Sequence, residues 1–404
     1  SMACPMVSGA AALVRQSRPA FAPAEVKAAL VHTSVPLVES GDQLYPASRQ
    51  GAGRVDVARA VGQTVTARPA NPEVGTALTF GSIVAAEPTN VSRALSVTNH
   101  GDAPVSFAVS VVETHALPGV AVSFSPSELT LAAGETANVE LELAIDPHQL
   151  GEPGPDPGTS PSDSNLPRHW INEVTGYVRL SGEQPLSLPF HAAVRAGASR
   201  TVSSANRCGE GVVVRVDGPS AYPAPLTSAF ALGALSDPAP EMESGDLRAV
   251  GIASDATVVP IDQATVTFGV ALEKRWQTPA LGQVSELVVG VEIDDTAPVD
   301  FAILAVPLNG DQPFADALVA ATYSLEGNGH PINAVSCGEL ISSRPINLMS
   351  PNEGNSAPFL NRVIALPTFA RDLGLDEATT AFSYQVFTLV GVGVGDSSGW
   401  IAHD

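Results

Sequence analysis

The stretch 93-RALSVTNHGDAPVSFAVSVVE-113 decides the fold class of most of this chain. Apolar and polar residues alternate through both of its halves, as at Leu95 and Val97 in the first half and Phe107 in the second. An alternation with a period of two predicts β-strands that bury one face. The residues between the halves, 99–102, are types common in tight turns. The stretch therefore predicts two strands joined by a hairpin turn.

The same pattern extends to both sides, between residues 66 and 196. Alternating segments occur at 77-ALTFGSIV-84 and 186-LSLPFHAAV-194, with turn residues between them. Short strands at this spacing predict a β-sandwich of about 100 residues. An insertion rich in Pro, Gly, Ser and Asp, residues 148–170, is predicted to be a mobile loop. Residues 197–207 are predicted to be a linker.

Two further regions flank this sandwich. Residues 208–404 are again rich in alternating segments, which predicts a second, larger β-sandwich. Residues 1–35 are instead predicted to be helical, because Pro23 can open a helix and Glu25 would lie in its first turn. The segment 51-GAGRVDVARAV-61 predicts a glycine turn followed by a short helix.

Composition limits the functions that the chain can have. Its 404 residues carry 20 Lys and Arg against 42 Asp and Glu, a formal net charge of −22. Nucleic acids and anionic membrane surfaces are bound through basic surfaces, so neither is an expected partner. No run of about 18 apolar residues is present, so no membrane span is expected. The acidic, Lys-poor and strand-rich composition favours an exported protein.

The first residues, 1-SMACPMVSGAAAL-13, carry the chemistry. A serine at the start of a helix is most often an N-cap, which is the structural interpretation of Ser1. The string also resembles the active-site serine motif of subtilisin-like peptidases (peptidase S8), G-T-S-M-A-x-P-x-V-x-G-x-A-A-L. Cys4 and Met6 depart from the usual residues of the motif. The matching positions are Ser1, Met2, Ala3, Pro5, Val7, Gly9, Ala11, Ala12 and Leu13.

Two later segments continue the resemblance in the family's order. Residues 18-RPAFAPAEVKAALVHTSVPL-37 look like the helix that follows the serine helix, and 51-GAGRVDVARAV-61 looks like the closing segment of the catalytic domain. The resemblance implies a secreted endopeptidase that cleaves a polypeptide substrate by Ser-His-Asp chemistry, with no cofactor. It assigns the nucleophile to Ser1, whose N–H would help bind the oxyanion.

The family's Asp and His precede its serine, so the resemblance implies a missing N-terminal catalytic segment. A serine hydroxyl is a poor nucleophile without a base. The chain alone is therefore predicted to be inactive. His100-Gly101 is similar to the start of a His-Gly-Thr motif, but Asp102 replaces the Thr and the context is a turn between strands. The alternative function is a non-catalytic extracellular β-sandwich array for adhesion or binding, with a vestigial subtilase segment.

The C-terminal regions resemble domains that follow the catalytic domain in this family. Residues 66–197 resemble its fibronectin-III-like domain, and 198–404 the β domains of vesiculosin-type bacterial subtilases. In the latter, 291-VEIDDTAPVDFAIL-304 corresponds to a calcium-like loop. Weak candidates for a structural calcium site are Asp294, Asp295 and Asp300; an acidic solvated turn is the favoured interpretation.

The three cysteines are Cys4, Cys208 and Cys337. Cys4 is expected to be a small buried thiol. Cys208 and Cys337 are predicted to form a disulfide, because both lie in the C-terminal region of an exported protein.

The expected fold class is multidomain. A helical C-terminal remnant of an α/β subtilisin fold (1–65) would precede two mainly-β sandwich domains (66–197 and 198–404).

Overall fold

A computed structural model of the chain describes residues 1–70, 75–150, 172–208, 211–221, 228–242, 245–276, 285–293, 299–307, 318–325, 338–347, 361–390 and 393–403. These residues form two compact units, one before residue 222 and one after residue 227. The predicted loop at 148–170 lies almost entirely outside the described residues. No described helix is long and apolar enough to cross a membrane. The division into three domains stays a prediction.

The first 62 residues, here called the helical segment, contain four short helices and one small hairpin. Helix α2 begins at Pro23, as predicted, and the Ala22 N–H donates to Glu25 Oε2 over 2.5 Å. Helix α4 is capped by Asp56, whose carboxylate accepts from the Arg59 N–H. The elements are α1 Ala3–Ser17, α2 Pro23–His32, β1 Val38–Ser40, β2 Gln43–Leu44, α3 Ala47–Gln50 and α4 Val57–Gly62.

The expected fold class is wrong. Strands make up 54% of the structure and helices only 13%, in four helices, so a helical remnant of an α/β subtilisin fold is not supported. An α/β fold alternates helices with strands of a mostly parallel sheet. The helical segment contains only the antiparallel pair β1–β2. Among the described residues the chain is mainly β, with helices confined to the first 62 residues and one 3₁₀ turn at Ala370–Leu373.

Two sheets pack against each other in the first unit and form the first sandwich. One has the order β3-β5-β9-β7 and the other β4-β11-β10-β6-β8; only the pair β4–β11 is parallel. Leu95, Val139, Leu188 and Phe190 lie in the core between the sheets. The strands are β3 Val65–Pro69, β4 Leu78–Ala85, β5 Thr89–Asn99, β6 Val105–His115, β7 Val120–Ser125, β8 Glu128–Leu131, β9 Thr136–Ile145, β10 Glu173–Ser181 and β11 Leu186–Ala196.

Residues 99–102 do not form the predicted hairpin. Strands β5 and β6 lie in different sheets, so the turn carries the chain across the sandwich. Asn99 explains the difference, because its buried Nδ2 donates to the carbonyls of Ala103, Leu131 and Ala132 and its Oδ1 accepts from the Gly101 N–H. The Asn99 side chain therefore fixes the turn that leads from β5 to the other sheet, and its hydrogen bonds take the place of those of a hairpin.

The predicted linker at 197–207 is also wrong. Its residues belong mostly to an antiparallel ribbon of β12 Thr201–Cys208 and β13 Gly211–Asp217. This ribbon stays largely exposed, including Val202 and Val213. The sequence of β12 resembles a linker because its side chains are mostly polar and exposed, but the backbones of β12 and β13 are paired by hydrogen bonds.

The second unit also contains two sheets around one core, which is consistent with a β-sandwich. Its sheets have the orders β14-β15-β16-β21 and β20-β19-β18-β17-β22-β23. Phe268 and Tyr384, buried between them, lie 5.3 Å apart by ring centroid. The strands are β14 Ala231–Leu235, β15 Leu247–Ser254, β16 Thr265–Leu272, β17 Ser285–Glu292, β18 Phe301–Pro307, β19 Leu318–Ser324, β20 Glu339–Pro345, β21 Val363–Phe369, β22 Phe382–Val390 and β23 Gly393–His403.

Candidate functional site

The start of α1 contains the predicted nucleophile. Ser1 is exposed and precedes the helix, Met2 occupies the N-cap position, and no side chain caps the helix. Ser1 is therefore not an N-cap. The first amides of a helix have no partner within the helix, and its N-terminus carries a partial positive charge. The first turn after Ser1 thus offers donors suited to a developing anion.

No general base contacts Ser1 within the described part of the chain, where no hydrogen bond or ion pair joins it to a histidine or carboxylate. Two histidines of this unit, His32 and His100, have other partners. His32 is buried and its Nε2–H donates to the Thr76 carbonyl over 2.7 Å. Burial lowers the pKa of His32 to about 4, although the bond to Thr76 opposes the shift. The imidazole is therefore neutral at pH 7.

His100, the other residue with a motif-like neighbour, also serves the fold. Its Nε2 shares a 2.8 Å hydrogen bond with Thr66 Oγ1, and its ring lies 5.0 Å from that of Phe21. Burial is the main cause that lowers the pKa of His100, and Arg68 lowers it further, against the opposing effect of Glu25. The ring joins the helical segment to the start of the sandwich.

Helix α1 buries only one narrow face. Ala10 and Val14 pack against α2 and α4. On the other faces Met2 is 89% exposed, Met6 76% and Leu13 49%. Large apolar side chains are normally covered, and a contiguous exposed set of them marks a surface for packing or binding.

An apolar groove of about 920 Å³ runs beside this helix. Its walls come from α1, α2, the loop at 51–55, residues 76–77 and Pro189. Arg15 and Lys27 are its charged lining residues, and Arg15 Nη1 already donates to the Phe21 carbonyl over 2.7 Å. The groove is thus suited to apolar side chains more than to a charged ligand.

A polar cluster that the sequence analysis missed lies on the outer face of the first sandwich. Ser48 Oγ donates to Glu173 Oε1 over 2.7 Å, and His191 Nε2–H donates to Glu173 Oε2 over 3.0 Å. The carboxylate lies between the hydroxyl and the imidazole, so these residues do not form a nucleophile–base–acid relay. The signal in the sequence is the alternation along β10, where a polar residue stands at every second position from Glu173 to Arg179.

Only one of the three weak calcium candidates, Asp300, lies among the described residues. Asp294 and Asp295 lie outside the described residues. Asp300 is buried, and its Oδ2 accepts from the Ile293 N–H over 2.6 Å, which ties the ends of β17 and β18 together. No group of three or more potential ligands occurs among the described residues. A structural calcium ion stays a prediction.

The cysteine predictions have mixed outcomes. Cys4 was expected to be buried but is exposed, with a free thiol, because it lies on the uncovered side of α1. Cys208, at the end of β12, is also exposed. Cys337 lies outside the described residues, so the Cys208–Cys337 disulfide stays a prediction.

In a comparison with known proteins, the model of the subtilase family, Peptidase_S8, matches residues 1–53. A stretch of 78 residues is 35% identical to the minor extracellular protease Vpr of Bacillus subtilis (strain 168). That stretch is 19% of this chain and 10% of the relative, so the chain spans about a tenth of that protein's length. The N-terminal residues are therefore similar to subtilases, and the matched stretch is similar to part of an extracellular protease.

Solved structures give only remote likenesses. The secreted serine protease VesC from Vibrio cholerae is 10% identical, covers 80% of this chain and 49% of its own, and has a TM-score of 0.22. A FixG-related protein from Vibrio parahaemolyticus is 11% identical, with 32% of this chain and 94% of its own covered and a TM-score of 0.20. Likenesses at these scores carry no argument about function.

Proposed function

We propose that this chain is part of a secreted subtilisin-like serine endopeptidase in which Ser1 is the nucleophile. The observation that carries the proposal is the position of Ser1 at the head of the serine motif, within the matched residues 1–53 and beside the uncapped start of α1. The name of the Bacillus relative, an extracellular protease, supports secretion of the parent.

The proposed reaction begins with attack of Ser1 Oγ on the scissile carbonyl carbon of a polypeptide. A histidine accepts the hydroxyl proton, and an aspartate orients that histidine. The carbonyl oxygen becomes an oxyanion that accepts hydrogen bonds from backbone N–H groups near Ser1. Expulsion of the amine, protonated by the same histidine, leaves an acyl-enzyme that water hydrolyses.

The base and the orienting carboxylate are assigned to residues upstream of Ser1, as in subtilisin-like enzymes. His32 and His100 are poor candidates, since each bonds to the backbone or to a hydroxyl within the fold. The isolated chain is accordingly expected to be inactive. The exposed side of α1 and the adjoining groove support a larger catalytic body, because they leave apolar surface for other parts of the parent to cover.

The alternative, a non-catalytic adhesion array with a vestigial segment, is not favoured. The matched segment retains Ser1 together with the small residues Ala3, Gly9, Ala11 and Ala12 that surround it in the motif. An array that had lost catalysis would have no need for them.

A fluorophosphonate probe, which phosphonylates activated serines, tests the assignment. The gene is first sequenced upstream of the Ser1 codon, and the whole encoded protein is expressed alongside this chain. We expect Ser1 to be labelled, and casein to be cleaved, only in the longer protein, with both signals lost in its Ser1→Ala variant. Cys4→Ser is the matched control and should keep both.

Two results would overturn the proposal. One is an upstream sequence without an Asp and a His-Gly-Thr motif. The other is casein cleavage by the longer protein that survives Ser1→Ala. Ser1-dependent cleavage by the isolated chain would instead contradict the assignment of the base upstream.

A further inference from the structure

Glu173 is an acidic side chain in an unusual place for a sandwich strand. Along β10, Val174 and Val178 point into the core between the sheets. The alternate residues, Glu173, Thr175 and Tyr177, therefore point to the outer face, yet all three are buried. The helical segment provides this cover, because α3 and the loop after it bond to Glu173 and Tyr177.

Both carboxylate oxygens of Glu173 are used, and by different parts of the molecule. Oε1 accepts from Ser48 of α3, and Oε2 accepts from His191 of β11. Nearby, the Tyr177 hydroxyl donates to the Gly51 carbonyl over 2.9 Å. A buried carboxylate is costly unless its oxygens are hydrogen-bonded, so the arrangement is stable only while α3 stays in contact with the sheet.

The charged state of Glu173 follows from these contacts. Burial alone would raise its pKa, but the hydrogen bonds from His191 and Ser48 and the nearby His115 bring the pKa below its ordinary value. The carboxylate is therefore ionised at neutral pH. The polar and charged groups on the surrounding elements are Ser48 and the exposed Arg49 on α3, His191 and Arg195 on the same face of β11, and His115 on β6.

We propose that Glu173 is an acid-released clamp that fixes residues 47–53 to the outer face of the first sandwich. When ionised, the carboxylate holds Ser48 and His191 together. When protonated, it loses acceptor strength on one oxygen, and residues 47–53 detach while both sheets stay folded. Residues 51–53 line the groove beside α1, so the clamp also sets the shape of that groove. The clamp does not depend on the proposed chemistry.

Hydrogen exchange of the whole chain at a series of pH values tests the clamp. The amides of Arg49, Gln50 and Gly51 are hydrogen-bonded within α3 and so report its opening. After correction for intrinsic exchange, we expect the opening constant to rise, by at most about tenfold per pH unit, as the pH falls below the ordinary pKa of a glutamate, and to level off once the pH is below the lowered pKa of Glu173 in the closed form. Amides of β9 report the sandwich and should not follow this rise.

Three variants separate the clamp from general acid unfolding. Glu173→Gln should open residues 47–53 at neutral pH and remove the pH step. Glu140→Gln, which changes an exposed glutamate of β9, is the matched control and should keep the wild-type step. Ser48→Ala removes one bond to the carboxylate, which raises the pKa of Glu173 in the closed form, so the step should become smaller and level off at a higher pH.

The proposal fails if wild type and Glu173→Gln show the same pH profile over residues 47–53. If Glu173→Gln does not fold, Ser48→Ala decides, since it alters a side chain at the surface of α3. A step at the same pH in Ser48→Ala and wild type would overturn the clamp.

Discussion

The helical segment and the first sandwich belong to one compact unit but are stabilised in different ways. The sandwich encloses large side chains that are fully buried, such as Leu143 and Phe190. The helical segment has a small core around Val14 and Leu30, and Met2 and Met6 remain in solvent. Apolar burial therefore stabilises the sandwich by itself. The helical segment depends more on individual polar contacts with the sheet.

The largest expected effect tests this contrast by truncating an apolar side chain in each region. Phe190→Ala removes a fully buried ring from the sandwich core and should lower the free energy of unfolding by ~3–5 kcal/mol. Leu13→Ala on α1 is the control; its side chain is half exposed, so the change should stay within ~0.5 kcal/mol. Urea unfolding of the first unit, followed by pulse proteolysis, measures both. Similar losses in the free energy of unfolding for the two variants would show that the two regions do not differ in their dependence on apolar burial.

The next effect concerns pH and the buried imidazole of His32. The pKa of His32 falls from 6.5 to about 4 on folding, so the unfolded chain binds the proton more tightly. Its contribution is fully present above pH 6.5 and is lost as the pH falls towards 4. The loss amounts to roughly 3 kcal/mol at ~1.4 kcal/mol per pH unit. Urea titrations between pH 7.5 and 4 measure it.

His32→Leu is the variant that isolates this term. It removes the titrating group and the hydrogen bond to Thr76, so stability at pH 7 should fall while its dependence on pH between 6.5 and 4 becomes shallower. If the variant keeps the wild-type slope, other groups cause the acid sensitivity. The helical segment would then not be the acid-sensitive part of this unit.

The two regions also differ in what their sequence predicts. The period of two along 93–113 predicts both strands, because alternate burial leaves a local record in the sequence. This period does not predict that the two strands, β5 and β6, belong to different sheets. Asn99 bonds to carbonyls about thirty residues away along the chain, and no local pattern records those partners.

The candidate site likewise combines features that the local sequence records with contacts between distant residues that it does not record. The start of α2 is predictable, since a proline at Pro23 is a local feature. The role of Ser1 also rests on a local motif, and it stays a prediction. The cluster of Ser48, Glu173 and His191 is not predictable, because Ser48 and Glu173 are 125 residues apart in sequence. The uncovered side of α1 is also unpredictable from its residues, since small apolar residues suit a buried helix.

A smaller effect is expected from added volume in the sandwich. A Cβ at Gly176 would lie 2.3 Å from the Val112 carbonyl oxygen and 2.7 Å from Phe190 Cε1. Backbone cannot move aside cheaply, so Gly176→Ala should destabilise the first unit by ~1–3 kcal/mol, as overpacking does. Thermal unfolding followed by calorimetry measures the shift. An unchanged transition temperature would mean that β6 and the Phe190 side chain can shift enough to accommodate the added methyl group.

The same substitution on α1 should have the opposite sign and the smallest size. A Cβ at Gly9 meets nothing within 4 Å, and Gly9 lies inside a fifteen-residue helix. Because Ala favours helix over Gly, Gly9→Ala should stabilise the helical segment by ~0.5–1 kcal/mol, seen as slower hydrogen exchange of α1. The proposed parent enzyme sharpens this test. If other parts of that protein cover α1, the added methyl group should stabilise the isolated chain yet lower activity of the whole enzyme. A gain in both would mean that this side of α1 is open in the parent too.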